Sequence, residues 1–341
     1  MAKAFITGVA GTELSEAERA FIAAERPWGF ILFKRNVETP DQVISLIREL
    51  RQCVGEPDAP VLIDQEGGRV ARLGPPYWPV YPAGAVFGRL YDIDPALGLH
   101  AARLSARLIA DDLHQLGVSV DCLPLADVPV AGADAVIGNR AYGTEPGKVA
   151  AIARAVAEGL EQGGILPVLK HIPGHGRATA DTHFRLPVVD TPETELERTD
   201  FAAFRPLADL PMAMTAHVVF SAFDPAHPAT TSATMIEQVI RGVIGFQGLL
   251  MSDDVSMNAL AGSIAERTAA IIAAGCDMVL HCNGKLEEMR DVARETPELS
   301  GKAQQRAASA LSSRKAPQPF DRQAARVELD ALIERAGIAG A

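Results

Sequence analysis

The chain has 341 residues, of which 48% are hydrophobic and 22% are charged, and its formal net charge is −11 at pH 7. This composition is typical of a globular protein long enough for one large α/β domain or two smaller ones. The acidic balance argues against a nucleic acid or an anionic membrane as a partner.

The N-terminal sequence and the spacing of the cysteines both favour the cytoplasm. Residues 1–19 lack the apolar region and cleavage pattern of a signal peptide, and no apolar run approaches the length of a membrane span. The four cysteines form no CxxC pair, which indicates reduced, buried thiols. We therefore expect a cytoplasmic protein, a monomer with no membrane partner.

Eight short apolar runs, each typical of a strand, alternate with amphipathic helical patterns. In chain order they are AFITGV, GFILF, PVLIDQE, SVDCLPLADV, LPVLKH, MAMTAHV, GLLMSDD and DMVLHC. Runs with little polar alternation favour strands that are buried on both faces, as in a parallel sheet. The pattern predicts an α/β fold with a single (β/α)8 TIM-type barrel, regular or irregular. A doubly wound open sheet is the alternative, but neither a GxGxxG fingerprint nor a P-loop supports it.

Helix boundaries are also marked in the sequence. Capping boxes pair Ser15 with Glu18, Thr39 with Gln42 and Ser263 with Glu266, and the helix-ending glycines are Gly117, Gly163 and Gly275. After about residue 284 the chain is helical and charged, with a short break at KAPQPFD. This segment is predicted to hold the last barrel helices and a C-terminal helical tail, so residues 1–341 are expected to form one catalytic domain.

Six of the eight apolar runs finish on charged or hydrogen-bonding residues. These endings are Asp64 to Glu66, Asp127, Lys170 and His171, His217, Ser252 to Asp254, and His281 to Asn283. In a TIM barrel the carboxyl ends of the strands form the active-site face. The endings therefore predict a polar pocket at that face, although any one of them alone would be an ordinary helix cap or solvated loop.

The segment KHIPGHGRATADTHF contains four residues of the metal-ligand type, His171, His175, Asp181 and His183. A proline and a glycine separate the first two, so they cannot share one helical face as in HExxH. We expect no metal and no cofactor. A barrel metallohydrolase that uses this cluster remains the runner-up.

A retaining sugar hydrolase needs a nucleophilic carboxylate and an acid/base on opposite sides of the scissile bond. Asp253, at the end of the seventh run, is placed to be the nucleophile, while Asp253 or Asp254 could instead cap a following helix over VSMNAL. In an extended segment Asp181 and His183 point the same way, so the carboxylate could orient the imidazole. On these residues alone, a surface Asp/His pair without chemistry remains the more probable interpretation.

Six motifs, in order along most of the chain, resemble those of glycoside hydrolase family 3. They are DQEGGRVARL (64–73), GNRAYG (138–143), KHIPGHG (170–176), DTH (181–183), MTAHV (214–218) and MSDDVSM (251–257). They look most like the bacterial β-N-acetylglucosaminidase branch of cell-wall recycling, and KHIPGHG followed closely by DTH is the most specific of them. Thr182 stands where the family often has serine, and a hydroxyl is retained.

The resemblance implies retaining hydrolysis of terminal β-linked N-acetylglucosamine from N-acetylglucosaminyl-anhydro-N-acetylmuramic acid, with or without its stem peptide. It implies that Asp253 is the nucleophile, that His183 is the acid/base and that Asp181 orients His183. The residues implied to hold the sugar hydroxyls are Asp64, Arg72, Arg140, Lys170 and His171. Glu66 and Arg69 are expected to form supporting ion pairs.

Three further expectations concern the same segment and the reaction. His175 is expected to hold the turn through a structural hydrogen bond, and the 172–185 loop is expected to swing His183 in when substrate binds. A neutral imidazole as acid/base would also admit phosphate as the attacking group, giving phosphorolysis. Action on other β-glycosides, and a sugar-binding protein without catalysis, are the remaining alternatives.

Overall fold

The computed structural model describes residues 1–178, 186–335 and 337, and these residues form ten strands. The strands are β1 (Lys3–Thr7), β2 (Pro27–Leu32), β3 (Val61–Ile63), β4 (Val120–Asp121), β5 (Leu166–Ile172), β6 (Val188–Val189), β7 (Met212–Thr215), β8 (Val219–Phe220), β9 (Leu249–Asp254) and β10 (Met278–His281).

Eight of these strands close into a barrel in the order β1-β10-β9-β7-β5-β4-β3-β2. Every neighbouring pair is parallel, and the two strands outside the barrel, β6 and β8, pair with each other. Each barrel strand overlaps one of the eight predicted runs. The prediction of a (β/α)8 barrel is confirmed, and because the sheet closes, the alternative of an open doubly wound sheet is wrong.

Helices surround the barrel and fill the connections between its strands. Those in the described residues are α1 (Glu16–Glu25), α2 (Pro40–Val54), α3 (Gly84–Ile93), α4 (Pro95–Leu116), α5 (Pro146–Gln162), α6 (Glu193–Arg198), α7 (Asp200–Phe204), α8 (Ile264–Ala274), α9 (Leu286–Glu295), α10 (Gly301–Ser312) and α11 (Arg322–Arg335), with a π-helix over Met235–Val243. Short 3-10 turns cover Lys34–Asn36, Gly138–Arg140, Arg205–Leu207 and Ala229–Thr231.

The predicted start of α1 is confirmed, and that of α2 is half right. Ser15 Oγ accepts from the Glu18 N–H at 3.2 Å, and the Glu18 carboxylate accepts from the Ser15 N–H at 2.8 Å. Thr39 Oγ1 accepts from the Gln42 N–H at 3.2 Å, but the Gln42 side chain accepts from the Glu38 N–H instead of the Thr39 N–H. Thr39 therefore caps α2 without a reciprocal box.

The other predicted helix boundaries also hold. Ser263 and Glu266 form the reciprocal box at the start of α8. Gly117 and Gly275 end their helices in the left-handed conformation, with φ of 87° and 103°, which glycine adopts without steric cost. Gly163 ends α5 at an ordinary φ of −87°.

Strand pleating decides which polar side chains enter the mouth of the barrel. Successive side chains of a strand alternate between its two faces. The apolar cluster inside the barrel contains Leu249 and Met251 of β9, Leu166 and Val168 of β5, and Leu62 of β3. Continuing the same alternation by two residues on each strand reaches Asp253, Lys170 and Asp64. These three charged residues therefore stand on the inward face, directly above the apolar filling.

The C-terminal helices pack against the barrel helices. Arg322 at the start of α11 pairs with Asp111 of α4 at 2.9 Å and with the neighbouring Asp112. The Arg107 guanidinium of α4 lies 4.1 Å from the ring centre of Phe320. Within the described part of the chain, none of the helices is both long and apolar enough to span a bilayer.

Candidate active site

A cavity of about 300 Å³ opens at the carboxyl ends of the barrel strands. The structure brings together around it all six described residues for which a catalytic or sugar-binding role was predicted: Asp64, Arg72, Arg140, Lys170, His171 and Asp253. They come from widely separated parts of the sequence, and the closed barrel places them at one mouth. The cavity is therefore the candidate active site.

Lys170 is the centre of a buried ion-pair cluster on one side of the cavity. Its Nζ lies 2.8 Å from Asp64 Oδ1 and 2.7 Å from Glu66 Oε1, and only 2% of the side chain is exposed. Arg72 donates to Asp64 Oδ2 at 2.9 Å. Arg140 binds both carboxylate oxygens of Glu66, at 2.7 and 2.8 Å. The expectation that Glu66 is a supporting ion-pair residue agrees with this geometry.

The cluster stays fully charged because its members stabilise each other. Burial would raise the pKa of Asp64, but the charges of Lys170 and Arg72 outweigh it and hold that pKa below its usual range. Burial likewise opposes the charge of Lys170, and the two carboxylates raise its pKa above the usual value. A carboxylate that keeps free lone pairs beside cationic donors is suited to bind sugar hydroxyls.

Gln65 folds the loop that carries this cluster, a role that the sequence analysis did not assign. Its Oε1 accepts from the backbone N–H groups of Arg72 at 2.8 Å and Leu73 at 2.9 Å, and its Nε2 donates to the Leu73 carbonyl. Its own backbone N–H donates to Asp121 Oδ1 of β4 at 3.0 Å. The available signal was a glutamine between two charged strand-end residues.

His171 and His175 share one buried carboxylate, that of Asp127. His171 Nδ1 lies 2.8 Å from Asp127 Oδ2, and the His175 N–H donates to Asp127 Oδ1 at 2.7 Å. Burial raises the pKa of Asp127, but the His171 and His175 contacts outweigh this and lower it to about 2. The turn at His175 is therefore held by a hydrogen bond, as expected, but from the backbone.

The His175 side chain has a different position from the one expected. Its ring lies edge-on to the His171 ring with centres 5.6 Å apart, and it lines the cavity. Its Nδ1 is buried and has no hydrogen-bond partner among the described residues. Burial, together with neighbouring His171, lowers the pKa of His175 to about 4. The cavity wall thus contains an uncharged imidazole near neutral pH.

The structure separates the two aspartates at the end of β9. Asp254 also lines the cavity, but its carboxylate accepts from the N–H groups of Ser256, in the following turn, at 3.0 Å and of Cys282, after β10, at 3.1 Å. Asp253 lines the cavity and its Oδ1 accepts from the Asp254 N–H at 2.7 Å. The helix expected over VSMNAL is wrong, since residues 255–260 form turns.

Burial raises the pKa of the Asp253 carboxyl, but the charges of His217 and His171 outweigh it and hold the pKa below its ordinary value. An ionised carboxylate fixed at a strand end and facing a cavity is the arrangement that a nucleophile requires. Asp254 cannot serve in the same way, because both of its oxygens are engaged, Oδ2 by Ser256 Oγ at 2.6 Å.

Not every polar strand end belongs to the cavity. His281, which is fully buried, has Nδ1 3.3 Å from Thr7 Oγ1 and Nε2 3.4 Å from Glu288. Asn283 also donates to Glu288, at the start of α9. Of the three residues that end the eighth run, His281 to Asn283, only Cys282 lines the cavity. The prediction that this whole ending contributes to the polar pocket is wrong.

Arg69 also departs from its expected ion pair. Its guanidinium donates to the backbone carbonyls of Ala135, at 2.9 Å, and Val136, and it lines the cavity. No carboxylate of the described residues pairs with it. Three predicted residues, Asp181, Thr182 and His183, lie outside the described residues. The expected motion of the 172–185 loop involves this segment and stays a prediction.

The described part of the chain contains no group of three or more His, Cys, Asp or Glu side chains that could hold a metal ion. Two of the four residues in the suggested metal cluster, Asp181 and His183, fall in the segment outside that part.

A barrel cavity that combines an ionised strand-end carboxylate with a charged cluster is compatible with a glycoside hydrolase. The family model described as glycosyl hydrolase family 3 N terminal domain matches residues 5–314. The chain belongs to glycosyl hydrolase family 3, which confirms the resemblance seen in the motifs and the enzyme class predicted from them.

Individual relatives agree with the family. A β-hexosaminidase of Alkalilimnicola ehrlichii is 39% identical over 280 residues, which cover 81% of this chain and 79% of that protein. The structure of NagZ from Neisseria gonorrhoeae superposes with a TM-score of 0.85 at 30% identity, covering 100% of this chain and 98% of that one. The same protein in complex with N-trifluoroacetyl-D-glucosamine gives a TM-score of 0.85, covering 100% and 99%.

Proposed function

We propose that the protein is a retaining exo-β-N-acetylglucosaminidase that removes terminal N-acetylglucosamine from N-acetylglucosaminyl-anhydro-N-acetylmuramic acid, with or without a stem peptide. Asp253 forms a covalent glycosyl intermediate, and His183, oriented by Asp181, is the acid/base. The broader class is plain: relatives called β-hexosaminidase and the NagZ structures make this chain a glycoside hydrolase of the β-N-acetylhexosaminidase type.

The observation that carries the proposal is the position of Asp253. It stands on the inward face of β9, lines the cavity with Lys170 and Asp64, and has a lowered pKa. Its Oδ1 accepts from the Asp254 N–H, whereas both oxygens of Asp254 are engaged, Oδ1 by the N–H groups of Ser256 and Cys282 and Oδ2 by Ser256 Oγ. A sugar that rests on the Lys170 cluster would therefore present its ring to an ionised carboxylate.

In the first step, an oxygen of Asp253 attacks the anomeric carbon and the bond to the leaving-group oxygen breaks. His183 gives its proton to that oxygen, so the leaving sugar departs as an alcohol. In the second step, His183 takes a proton from water, whose oxygen attacks the anomeric carbon from the face that the leaving group vacated and displaces Asp253. Two inversions give overall retention, and the enzyme returns to its starting protonation state.

The cluster around Lys170 positions the sugar for this chemistry. Asp64 retains lone pairs for sugar hydroxyls beyond its bonds to Lys170 and Arg72, and Arg140 and His171 lie on the same cavity wall. The complex of the Neisseria gonorrhoeae protein with N-trifluoroacetyl-D-glucosamine supports an N-acyl glucosamine as the bound sugar.

An assay with an aryl N-acetyl-β-glucosaminide tests the proposal. Asp253→Asn should lower kcat by at least about 1,000-fold while leaving sugar binding in place. His183→Ala should slow a substrate with a poor leaving group by about 100-fold or more, and an activated aryl glycoside much less, because the latter needs little protonation.

An Asp253→Asn variant with near-normal turnover would disprove the proposed nucleophile. Equal losses on both substrates for His183→Ala would argue against its role as the acid. Running the wild-type enzyme with and without phosphate separates hydrolysis from phosphorolysis, since only phosphorolysis yields the sugar 1-phosphate. Activity that survives exhaustive chelation would exclude the metallohydrolase alternative.

We also propose that the enzyme is a cytoplasmic monomer in which residues 1–341 form one catalytic domain. The pairing of Arg322 with α4, and of Arg306 of α10 with Asp277 at 2.9 Å, supports a C-terminal segment that belongs to the barrel. Size-exclusion chromatography with light scattering measures the oligomeric state, and a mass near twice 36.2 kDa would contradict the monomer.

A further inference from the structure

His217 follows β7 and has no exposed surface, and both of its ring nitrogens make close contacts. Nε2 lies 3.0 Å from the backbone carbonyl oxygen of Asp254, at the end of β9. Nδ1 lies 2.7 Å from Thr230 Oγ1. Because a carbonyl oxygen can only accept a hydrogen bond, Nε2 must carry a proton.

Thr230 stands at the centre of a larger buried network. Its Oγ1 lies 3.0 Å from the carbonyl oxygen of Ala216 and 2.8 Å from Thr215 Oγ1. The Asp253 N–H in turn donates to Thr215 Oγ1, at 3.4 Å. The network therefore runs from His217 to the backbone of Asp253. Thr215, His217 and Thr230 are all fully buried, so water does not complete their hydrogen bonds.

Counting protons decides the charge of His217. Thr230 has one hydroxyl proton. Apart from Thr230, the described residues offer no hydrogen-bond donor to the carbonyl oxygen of Ala216. If the proton of Thr230 goes to Ala216, Nδ1 must donate to Thr230, and His217 then carries protons on both nitrogens. If Nδ1 instead accepts from Thr230, the Ala216 carbonyl is left buried without a donor, which proteins rarely tolerate.

The charged form satisfies every group in the network at once. Thr230 Oγ1 accepts from His217 Nδ1–H and from the Thr215 hydroxyl, which uses its two lone pairs. Its own proton goes to Ala216, and Thr215 Oγ1 remains free to accept from the Asp253 N–H. The neutral form with its proton on Nδ1 would set a lone pair of Nε2 against the Asp254 carbonyl at 3.0 Å.

We propose that His217 is a positively charged positioning residue, whose imidazolium fixes the end of β9 and holds the Asp253 carboxylate in its ionised form. This inference rests on the proposed role of Asp253 as the nucleophile. His217 does not touch the reacting atoms in this account; it acts through Asp253.

The other charges around Asp253 do not replace that of His217. Lys170 is already balanced by two carboxylates, and His171 is paired with Asp127. His217 forms no ion pair of its own with a described carboxylate within 4.0 Å. Its charge is the strongest of the influences that lower the pKa of Asp253 against burial.

Among the described residues, further ionisable neighbours of Asp253 are His175, Asp254 and the Cys282 thiol. Burial lowers the pKa of His175, so that ring is uncharged near neutral pH, while burial raises the pKa of Cys282. Asp254 carries a negative charge that is shared with the N–H groups of its own loop.

The test is the pH dependence of kcat/KM for an aryl N-acetyl-β-glucosaminide, measured for the wild type and for His217→Gln. Glutamine can still donate to the Asp254 carbonyl but carries no charge. Without that charge the pKa of Asp253 rises, so the acidic limb of the profile should move to higher pH by about one unit, a tenfold change. His227→Gln, which removes a histidine with a 60% exposed side chain, is the matched control and should leave the limb in place.

A uniform loss of activity at every pH, with the limb unmoved, would overturn the proposed charge and leave His217 a purely structural role. So would a His217→Gln profile identical to the wild type. If His217→Gln does not fold, neutron diffraction of the wild-type enzyme decides the question. Deuterium on both ring nitrogens of His217 supports the proposal, and deuterium on one nitrogen overturns it.

The outcomes also separate this inference from the proposed function. If Asp253→Asn retains turnover, the assignment of the nucleophile fails, whatever the protonation of His217. If Asp253→Asn is inactive while His217 carries a single proton, the function stands and the inference fails.

Discussion

Replacing Lys170 with methionine tests the charged cluster on which the sugar is proposed to rest. Methionine keeps much of the length of the lysine side chain but removes the ammonium group. Asp64 Oδ1, at 2.8 Å, and Glu66 Oε1, at 2.7 Å, then lose a shared partner in a site where Lys170 is only 2% exposed. Two buried carboxylates would face each other with one cation fewer.

The size of the effect follows from which partners remain. Removing one member of a buried ion pair costs about 3–5 kcal/mol when the other charge is left alone. Here Asp64 keeps Arg72 and Glu66 keeps both bonds from Arg140. We therefore expect the lower end of that range, a loss of about 3 kcal/mol in the free energy of unfolding.

Urea unfolding at pH 7, followed by circular dichroism, measures this difference. The matched control is Lys285→Met, because Lys285 pairs with Glu288 at 3.0 Å but is 69% exposed, and an exposed pair contributes less than about 1 kcal/mol. Asp64 and Glu66 have lowered pKa values, so the stability they contribute is present above their unfolded pKa and is lost as the pH falls.

The deficit of Lys170→Met should therefore shrink as the pH is lowered through about 4. A Lys170→Met variant as stable as the control at pH 7 would refute the reasoning. So would a deficit that does not change as the pH falls from about 4 toward 2.

Two further predictions concern Asp127 and Gly176, which lie beside the cavity-lining residues His171 and His175. Gly176→Ala should lower the free energy of unfolding in urea by about 3 kcal/mol or more, because the added Cβ would lie 2.1 Å from the Val128 carbonyl oxygen. The control, Gly11→Ala, should be neutral, because its added Cβ would have no atom of the described residues within 4 Å. The wild type should also have a higher free energy of unfolding than Asp127→Asn. This difference should be full above about pH 4 and fall by about 2 kcal/mol as the pH drops to about 2, because the pKa of Asp127 is lowered to about 2. A difference that does not depend on pH would contradict this.

The barrel could be predicted from the sequence because parallel strands buried on both faces are continuous apolar runs. The lengths of individual strands could not. The run SVDCLPLADV predicts ten residues of strand, but β4 covers only Val120–Asp121. Pro124 has no N–H to donate to a neighbouring strand, and this interrupts the regular ladder.

The roles of the two adjacent aspartates show a similar limit. The sequence predicted Asp253 as the nucleophile but left open which of the two aspartates caps a following helix, and the alternation of β9 places Asp253 on its inward face. The helix expected over VSMNAL fails because the Asp254 carboxylate binds the N–H groups of Ser256 and of distant Cys282, which holds the chain in turns. A local pattern contains no information about such a long-range partner.

The residues proposed to bind the sugar were identified by motif, but their mutual arrangement could be seen only in the fold. Lys170 and His171 are neighbours in sequence, yet Lys170 joins the Asp64 cluster and His171 joins Asp127. The network of His217 and Thr230 was not foreseen, since a lone histidine at a strand end gives no sign of which groups its two nitrogens meet.

The central claim is that Asp253 becomes covalently glycosylated during turnover. The direct measurement is mass spectrometry of the peptides from enzyme trapped with an activated fluorosugar analogue of N-acetylglucosamine, which accumulates the glycosyl-enzyme. The added sugar mass should lie on the peptide around MSDDVSM, and fragmentation should assign it to Asp253. Label on another residue, or rapid turnover of the analogue with no label on the protein, would contradict it.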